Sequence, residues 1–426
     1  MLGRADGRGI LPRGLGRSYG DAAQNAGGTV IDTTTLDGPL EIAADGTARV
    51  GAGVSIDRLL RVAVPRGWFV PVTPGTRQVT IGGAIAADVH GKNHHVDGSI
   101  ARHIRSLTLV SPSGIHLLGP DDVLFWATTG GMGLTGVVIE AELRLLPIET
   151  AYITVDTDRT LDLDGTIDLM SEGDEDYQYS VAWIDCLTPG PSLGRAVLTR
   201  GNHAPRSALQ DSRNGSTTGT DGSGADPLAF SPRPLISAPP WVPPGLLNRA
   251  SIRAFNEVWY RRAPKHERGA LHTIGRFFHP LDGVRAWNRM YGRRGFLQYQ
   301  CVIPFDAEPT LRAMVERLAA ARCPSFFGVL KRFGAAAPGH LSFPMPGWTL
   351  ALDMPVGPEA LGPLLDELDR QVLQAGGRVY LAKDSRLRPE LLGAMYPRLD
   401  EWRAVRARVD PRHVMQSDLS RRLGVL

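Results

Sequence analysis

The stretch PRGLGRSYGDAAQN, Pro12 to Asn25, sets three glycines among two arginines, a tyrosine and an aspartate, with almost nothing apolar to bury. Such a segment suits close approach of bare backbone to an anion. Successive N–H groups can form a concavity, and Arg13 or Arg17 can add charge. The spacing Gly14, Gly16, Gly20 is GxGxxxG rather than the dinucleotide fingerprint GxGxxG, and no strand–helix frame surrounds it, so a Rossmann reading fails its context test. On its own the stretch could equally be an irregular surface loop.

Two further stretches bear on chemistry. PGTRQVTIGGAIAADVHGKNHH, Pro74 to His95, is dominated by small residues and ends in a polar crowd. That pattern suits backbone packed against a flat ring system with a reactive centre nearby. His90, His94 and His95 invite a metal, but no carboxylate or cysteine frames them at ligand spacing, and no metal is expected. WATTGGMGLTGVVIEAEL, Trp126 to Leu143, is a glycine hinge feeding a β run.

The elements that must hold these stretches divide in two. Up to about residue 148 short strands, turns and helices alternate: a strand in GGTVIDTTTL, a strand and then a helix from a Ser55 cap to the break at Pro65, and two β runs around Ser-Pro-Ser-Gly. From about 149 longer alternating runs appear, AYITVDTD, YQYSVAWIDCL, GFLQYQCVIP and WTLALDMPV, with helical runs between them. Antiparallel strands with covering helices are expected there. Ser207 to Asp226 is Gly/Ser/Thr/Asp-rich and reads as disordered. Ser237 to Ala250 follows with four prolines and Trp241, either a linker or a mobile lid that touches an apolar substrate or membrane surface.

Bulk properties exclude several classes. The 426 residues suggest two or three domains. Near-balance of 47 basic and 44 acidic residues argues against a nucleic-acid binder, which concentrates basic charge. Glycine is the outlier, 49 residues against an ordinary share of about 7%. Cys186, Cys301 and Cys323 lack metal-like spacing and read as buried thiols. No apolar run reaches membrane-span length and the N-terminus lacks the form of a signal peptide, so any membrane contact is expected to be peripheral.

PGT…TIGGAIAADVHGKN and FWATTGGMGLTGVV resemble the flavin-binding signature of the vanillyl-alcohol-oxidase-type FAD oxidoreductases. More narrowly, RGLGRSYGDAAQN, HGKNHH, GFLQYQCVIP, LSFPMPGW and RVYLAKDSR resemble the decaprenylphosphoryl-β-D-ribose 2′-oxidase family over nearly the whole chain. The resemblance implies an α+β, two-domain flavoprotein: an FAD domain at 1–148, an inserted substrate domain at 149–377 with an antiparallel sheet, covering helices and a flexible segment at 207–250, and a return to the FAD domain at 378–426.

It also implies roles. Non-covalent FAD would take its pyrophosphate contacts from Arg13, Gly14, Leu15, Gly16, Arg17, Ser18, Tyr19, Gly20 and Asp21. Gly75, Thr80, Ile81, Gly82, Gly83, Ala87, Asp88, Val89 and His90 would line the flavin and its linker, with Val138 at the adenine end and Tyr380 closing the site. The implied reaction oxidises the ribose 2′-hydroxyl of a polyprenyl-phosphoryl ribose to a 2′-keto sugar. Lys383, Tyr19 and His90 are the candidates to handle the proton and the growing charge. Lys383 would need a pKa well below about 10.4 to act as base, or would stay charged and orient the hydroxyl.

Lys92, Trp183, Gln298, Gln300, Lys331, Thr349 and Ala351 match substrate positions. Gln298 and Gln300 share one strand face, and Lys331 would hold the lipid phosphate. Ala351 stands where mycobacterial relatives have a cysteine, Thr349 where they have an asparagine, and Phe278 where they have a tyrosine. Relatives carry more chain before the glycine loop, so the first strand–helix piece of the FAD domain is expected to be lacking. A separate short-chain NAD(P)H-dependent reductase is the implied partner, and the periplasmic membrane face the implied location. The rivals are a sugar or aldonolactone oxidase of the same superfamily, or a non-catalytic glycolipid-binding paralogue.

Overall fold

The computed structural model describes residues 7–214, 226–233, 236–239, 248–322, 325, 327–357 and 359–426. Strand β1 (Ile10–Arg13) runs parallel to β2 (Thr29–Asp32), and the glycine loop leaves directly from its end. The strands β3 (Leu40–Ile42), β4 (Thr47–Gly51), β5 (Ile104–Ser111), β6 (Gly114–Leu118) and β7 (Val137–Arg144) form an antiparallel sheet in the order β3-β4-β7-β5-β6.

Helix α1 (Ile56–Ala63) starts where the Ser55 hydroxyl accepts from the Arg58 N–H at 3.1 Å, and it stops before Pro65, whose ring cannot continue the ladder. Its buried stripe is Ile56, Leu59, Leu60 and Ala63. Helix α2 (Ile81–Ala86) is capped by Thr80, whose Oγ1 accepts from the Gly83 N–H at 3.2 Å. Helix α3 (Val123–Thr128) follows the second sheet hairpin.

A second sheet has eight strands: β8 (Tyr152–Thr160), β9 (Tyr179–Ile184), β10 (Ala196–His203), β11 (His266–Thr273), β12 (Phe296–Ile303), β13 (Phe327–Phe333), β14 (Gly347–Pro355) and β15 (Arg378–Val379). Their order is β11-β8-β10-β9-β13-β14-β12-β15, and every pairing is antiparallel. With them come α4 (Arg206–Asn214), α5 (Arg249–Arg262), α6 (Glu308–Ala320) and α7 (Leu361–Gln374). Helices α6 and α7 pack on β12 and on each other. Central strand β14 is buried at all but its last residue because both faces of the sheet are covered.

Register decides which side chains meet. Gln298 lies opposite Asp353, Gln300 opposite Ala351, Ala351 opposite Val329, and Thr349 opposite Lys331. With a period of two, these residues share one face of the sheet. Tyr299 and Cys301 take the other face, toward Asp369 of α7.

The C-terminal helices α8 (Pro389–Met395), α9 (Leu399–Val409) and α10 (Asp418–Arg422) return to the first sheet. Trp402 donates its indole N–H to the Ala127 carbonyl of α3 at 2.9 Å. Beside β1, the Ile10 N–H donates to Val414 O at 2.7 Å and Gln416 N–H to Ile10 O at 3.0 Å, so the last residues extend the strand pair on its open edge.

One expectation needs amendment. The stretch expected to be disordered from Ser207 begins as helix α4, because 206–214 holds neither glycine nor proline and the Arg206 N–H is held by Glu149 Oε2 at 2.9 Å. Residues 215–225 lie outside the described residues, as do Trp241 with 240–247 and Cys323. Around the proposed lid, Ile236–Ser237 pairs in parallel with Val284–Arg285. Cys186 and Cys301 are buried, as expected.

A buried ion pair helps anchor the return. Arg406, 2% exposed, donates to Asp410 at 2.7 Å, to Met415 O at 2.8 Å and to Leu134 O at 3.0 Å, while Asp410 also accepts from the Val414 and Met415 N–H groups. Arg406→Ala strands the Asp410 carboxylate in the core, and the expected cost is about 3–5 kcal/mol of unfolding free energy. Arg49→Ala removes a surface pair with Glu140 and is expected to cost about 0–1 kcal/mol. Urea midpoints of the two variants test the contrast.

Candidate active site

A cleft of about 1040 Å³ opens between the glycine loop, the 74–90 segment and the Gln298/Asp353/Lys331 face of the eight-stranded sheet. The glycine loop is pinched on both sides. A Cβ on Gly14 would stand 2.1 Å from Thr80 Oγ1, and one on Gly20 only 1.7 Å from the Asp384 carbonyl oxygen, so a side chain at either position would have to push its neighbour aside. Tyr19 N–H donates to Ala382 O at 3.0 Å, which ties the loop to the returning chain. Among the described residues, the N–H groups of Leu15, Gly16, Arg17 and Ser18 between the pinch points meet no protein acceptor, and neither Arg13 nor Arg17 is ion-paired. All of Arg13 to Tyr19 line the cleft. Asp21 does not: both its oxygens accept from Arg422 at 2.8 Å, and Arg422 also binds Asp384.

Along the second stretch, Gly75, Thr80, Gly82, Gly83, Ala87, Val89 and His90 line the cleft, joined by Val138 and Tyr380. Ile81 is fully buried in the hydrophobic core instead. Asp88 also lies behind the surface. Its backbone takes φ +40°, and its carboxylate accepts from Ser342 Oγ at 2.6 Å, Ser99 Oγ at 2.9 Å and the Ala101 N–H at 3.2 Å. Burial pushes its pKa up despite these donors. Asp88 therefore shapes the turn that presents His90. Tyr380 donates its hydroxyl to Ala87 O at 2.8 Å and stacks on Phe343 with ring centres 4.6 Å apart.

Gln300 and Thr349 sit just behind this wall, where they fix the histidine. The Thr349 hydroxyl donates to Cys301 O at 2.8 Å, so it can only accept from Gln300 Nε2, 2.9 Å away. The same Nε2 stands 3.0 Å from His90 Nε2, which must then accept, leaving the ring proton on Nδ1. His90 Nδ1 and Gln300 Oε1 are buried and have no partner among the described residues. Burial, then the charges of Lys331 and Lys383, hold His90 neutral, well below the ordinary imidazole range.

At the sheet end of the cleft stand Tyr19, Lys383, Gln298, Asp353 and Lys331. Lys383 Nζ lies 5.7 Å from the centre of the Tyr19 ring, and that ring meets Phe296 edge-on at 5.6 Å. Burial lowers Lys383 to about 8, with Asp353 opposing. Asp353, 1% exposed, accepts from Gln298 Nε2, and burial lifts it to about 6 against the pull of Gln298 and Lys383. Burial and then Asp353 keep the Tyr19 phenol protonated. Lys331 is lowered to about 7 by burial, then by Lys383 and Lys92.

Lys92 and Trp183 fall outside the cleft lining. Lys92 Nζ donates to Phe277 O and lies 4.4 Å over the Phe277 ring, and burial brings it to about 7. Trp183 continues the same sheet face beyond Val329 but packs with Val197 and Tyr260, and with Trp259 at 6.5 Å. Val329 fills the wall position instead, and Ala351 presents its methyl beside it.

The sequence reading missed Asp353, although as the one ionisable side chain alternating with Thr349 and Ala351 on an apolar strand it carried a signal. It also missed the 281–288 segment, which lies across the cleft. There Asp282 accepts from Thr76 Oγ1 at 2.7 Å and from the Arg77 N–H at 2.9 Å, and Trp287 packs on Phe296 at 5.2 Å. No local pattern announces a contact between residues 205 positions apart.

A phosphate-bearing dinucleotide with a flat ring fits this geometry. Open N–H donors and unpaired arginines gather at the glycine loop, and a wall of glycine and alanine leads to His90. Comparison with known proteins agrees. Residues 2–118 match the FAD binding domain family, and residues 361–423 match the D-arabinono-1,4-lactone oxidase family. The chain is 45% identical to decaprenylphosphoryl-β-D-ribose oxidase of Mycolicibacterium smegmatis, over 99% of this chain and 90% of that protein. It is 42% identical to an uncharacterised protein of Streptomyces coelicolor, over 87% of this chain and all of that one. The crystal structure of 6-hydroxy-D-nicotine oxidase from Arthrobacter nicotinovorans shares the fold, with a TM-score of 0.62 at 17% identity, covering 96% of this chain and 86% of that one. The chain is thus an FAD-dependent oxidoreductase and belongs to the decaprenylphosphoryl-β-D-ribose oxidase family.

Proposed function

We propose that the protein oxidises the ribose 2′-hydroxyl of a polyprenyl-phosphoryl ribose, decaprenylphosphoryl-β-D-ribose in the first instance, to the 2′-keto sugar. The carrying observation is the meeting, in one cleft, of an anion-receptive glycine loop with a sheet face that holds Lys331, Lys383, Gln298 and Asp353. Bound FAD supplies the hydride acceptor. The chain's own residues do the rest.

Arg13 to Gly20 hold the dinucleotide phosphates through open N–H donors and two arginines, with Asp21 fixing the loop from behind through Arg422. The small residues from Gly75 to Val89 let the backbone lie against the ring system, Val138 meets the adenine end, and Tyr380 covers the site. His90 is kept neutral as an Nδ1–H donor, so it orients rather than takes a proton. Lys331 meets the substrate phosphate, with Lys92 reinforcing the positive field from behind the wall. Desolvated amines crowded by like charge gain most from an arriving anion. Gln298, whose Oε1 has no partner among the described residues, receives a sugar hydroxyl. Lys383 stays charged and orients the reacting hydroxyl.

The match of residues 361–423 to a lactone oxidase family supports a second reading, oxidation of a free sugar or aldonolactone. The desolvated lysines favour the phosphate-bearing substrate over a neutral one. A keto sugar still attached to its lipid is the chemistry a separate short-chain NAD(P)H-dependent reductase would consume, completing epimerisation to arabinose for cell-wall arabinan. The lipid tail implies peripheral work at a membrane face, on the periplasmic side. Among the described residues no helix is long and apolar enough to cross a membrane.

The holoprotein is expected to be yellow and to bleach anaerobically with polyprenyl-phosphoryl ribose but not with free ribose or an aldonolactone; bleaching by the lactone alone favours the second reading. Gly14→Ala drives a methyl into Thr80 and is expected to weaken FAD binding about tenfold or more, a loss of some 1.4 kcal/mol. Adding Thr80→Ala removes the clashing atoms and should restore part of the affinity in an absorbance titration. Lys383→Ala is expected to lower turnover about 10²–10⁴-fold with FAD still bound, and near-native turnover would remove Lys383 from the reaction.

A further inference from the structure

Alcohol oxidation needs a lone pair that can take the hydroxyl proton as the carbon loses its hydride. Most groups in the cleft are already committed. Tyr19 is a protonated phenol, and His90 Nε2 is filled by Gln300 while Nδ1 carries the ring proton. Lys331, lowered to about 7, is committed to the substrate phosphate, which holds it as an ammonium ion, and Lys383 below about 8 is likewise an ammonium ion without a lone pair. Asp282 accepts from Thr76 and from the Arg77 N–H, one to each oxygen. Asp353 differs. One oxygen, Oδ1, accepts from Gln298, and Oδ2 has no protein donor among the described residues although the side chain lines the cleft.

We propose that Asp353 is the catalytic base of this protein, taking the substrate hydroxyl proton on its free carboxylate oxygen, with Lys383 as the fixed cation beside it. This rests on the reading of the cleft as the site of hydroxyl oxidation. In the step, the substrate O–H bond breaks and an O–H bond forms on Asp353. The released O–H electron pair becomes the second bond of the new carbonyl, and the C–H pair leaves as hydride to the FAD that the family's activity supplies. Asp353 begins as an anion and ends as a neutral acid, a change its surroundings favour because burial already disfavours its charge. The titratable groups facing it are Lys383 from the returning chain, Tyr19 from the glycine loop and Tyr291 from the turn before β12.

The sign of the pH dependence follows. The base form of Asp353 exists above about 6, and the cation of Lys383 exists below about 8, so reduction of the holoenzyme should be bell-shaped between those limits. The experiment measures anaerobic bleaching of the flavin by polyprenyl-phosphoryl ribose from pH 5 to 9 in the native holoenzyme, Asp353→Asn, Asp353→Glu and Gln298→Leu. Asp353→Asn should keep FAD, lose about 10²-fold or more in rate at neutral pH and lose the acidic limb. Asp353→Glu should regain part of the rate together with that limb. Gln298→Leu removes a donor that favours the ionised form, so the acidic limb should move to higher pH.

A readout independent of turnover is the pH profile of Lys383 acylation, followed by mass spectrometry on the intact fold. Asp353 raises the Lys383 pKa, so Asp353→Asn should make that amine reactive at lower pH. An acidic limb that survives in Asp353→Asn, with a rate within a few-fold of native, overturns the assignment. So does a Lys383 profile that Asp353→Asn leaves unmoved. Should Asp353→Asn fail to fold, an acidic limb unmoved in Gln298→Leu has the same force. Native holoenzyme that never bleaches with the ribosyl lipid instead refutes the underlying reading of the substrate, a different result from either.

Discussion

The pinch on the glycine loop is the constraint from which the rest of this molecule follows. Gly14 lies against Thr80 and Gly20 against the Asp384 carbonyl, with no room for a Cβ at either point. Three distant parts of the chain therefore have to be in place before the loop has a shape: the start, the 74–90 segment and the return after β15. Arg422 bridges Asp21 and Asp384 to hold the first to the last. The return is in turn anchored by Arg406 with Asp410, and by Trp402 on Ala127. Phosphate-receptive backbone at the front of the sequence is thus built by contacts made at its end.

The return also carries chemistry across. Within six residues, Arg378–Val379 adds an edge strand to the eight-stranded sheet, Tyr380 bonds Ala87 O, and Lys383 reaches the Tyr19 ring. A short run thereby touches sheet, ring wall and glycine loop together. That geometry explains why charge can be kept at the cleft floor. Asp353 and Lys383 compensate each other without direct pairing, and each is shifted toward the neutral form by desolvation. A tight ion pair would have quenched both groups. A wet site would have left their pKa values at about 4 and 10.4, too far apart to serve one reaction near neutrality.

Much of this was legible in the sequence, for identifiable reasons. Glycine spacing announces backbone doing a side chain's work, and the alternation of Gln298 and Gln300 on an apolar strand announces a polar face. Strand and helix periods placed both sheets and the helices α1, α6 and α7. What sequence types could not give is depth. Lys92, Gln300, Thr349 and Asp88 stand out in the sequence as polar residues of a site, yet each lies one layer behind the cleft surface, held by Phe277 O, His90, Cys301 O and Ser342 respectively. A rotamer and a neighbour's donor settle that, and neither is written locally. Asp353 was missed for the opposite reason: its strand was read for Thr349 and Ala351, although the same alternation puts all three on one face.

The layer behind the surface is not inert. The Thr349 hydroxyl can give only one proton, and giving it to Cys301 O obliges Gln300 to present its amide nitrogen to both Thr349 and His90. The histidine is then locked as an Nδ1–H donor and removed from the set of bases. An asparagine at 349 could donate to Gln300 Oε1 and turn the amide around, offering His90 an acceptor and placing the ring proton on Nε2. Replacing one hydrogen-bond partner two steps from the cleft thus exchanges which histidine nitrogen carries hydrogen. In this chain the exchange leaves Asp353 as the cleft's open lone pair, which makes the identity of residue 349 part of the acid–base chemistry without its touching the substrate.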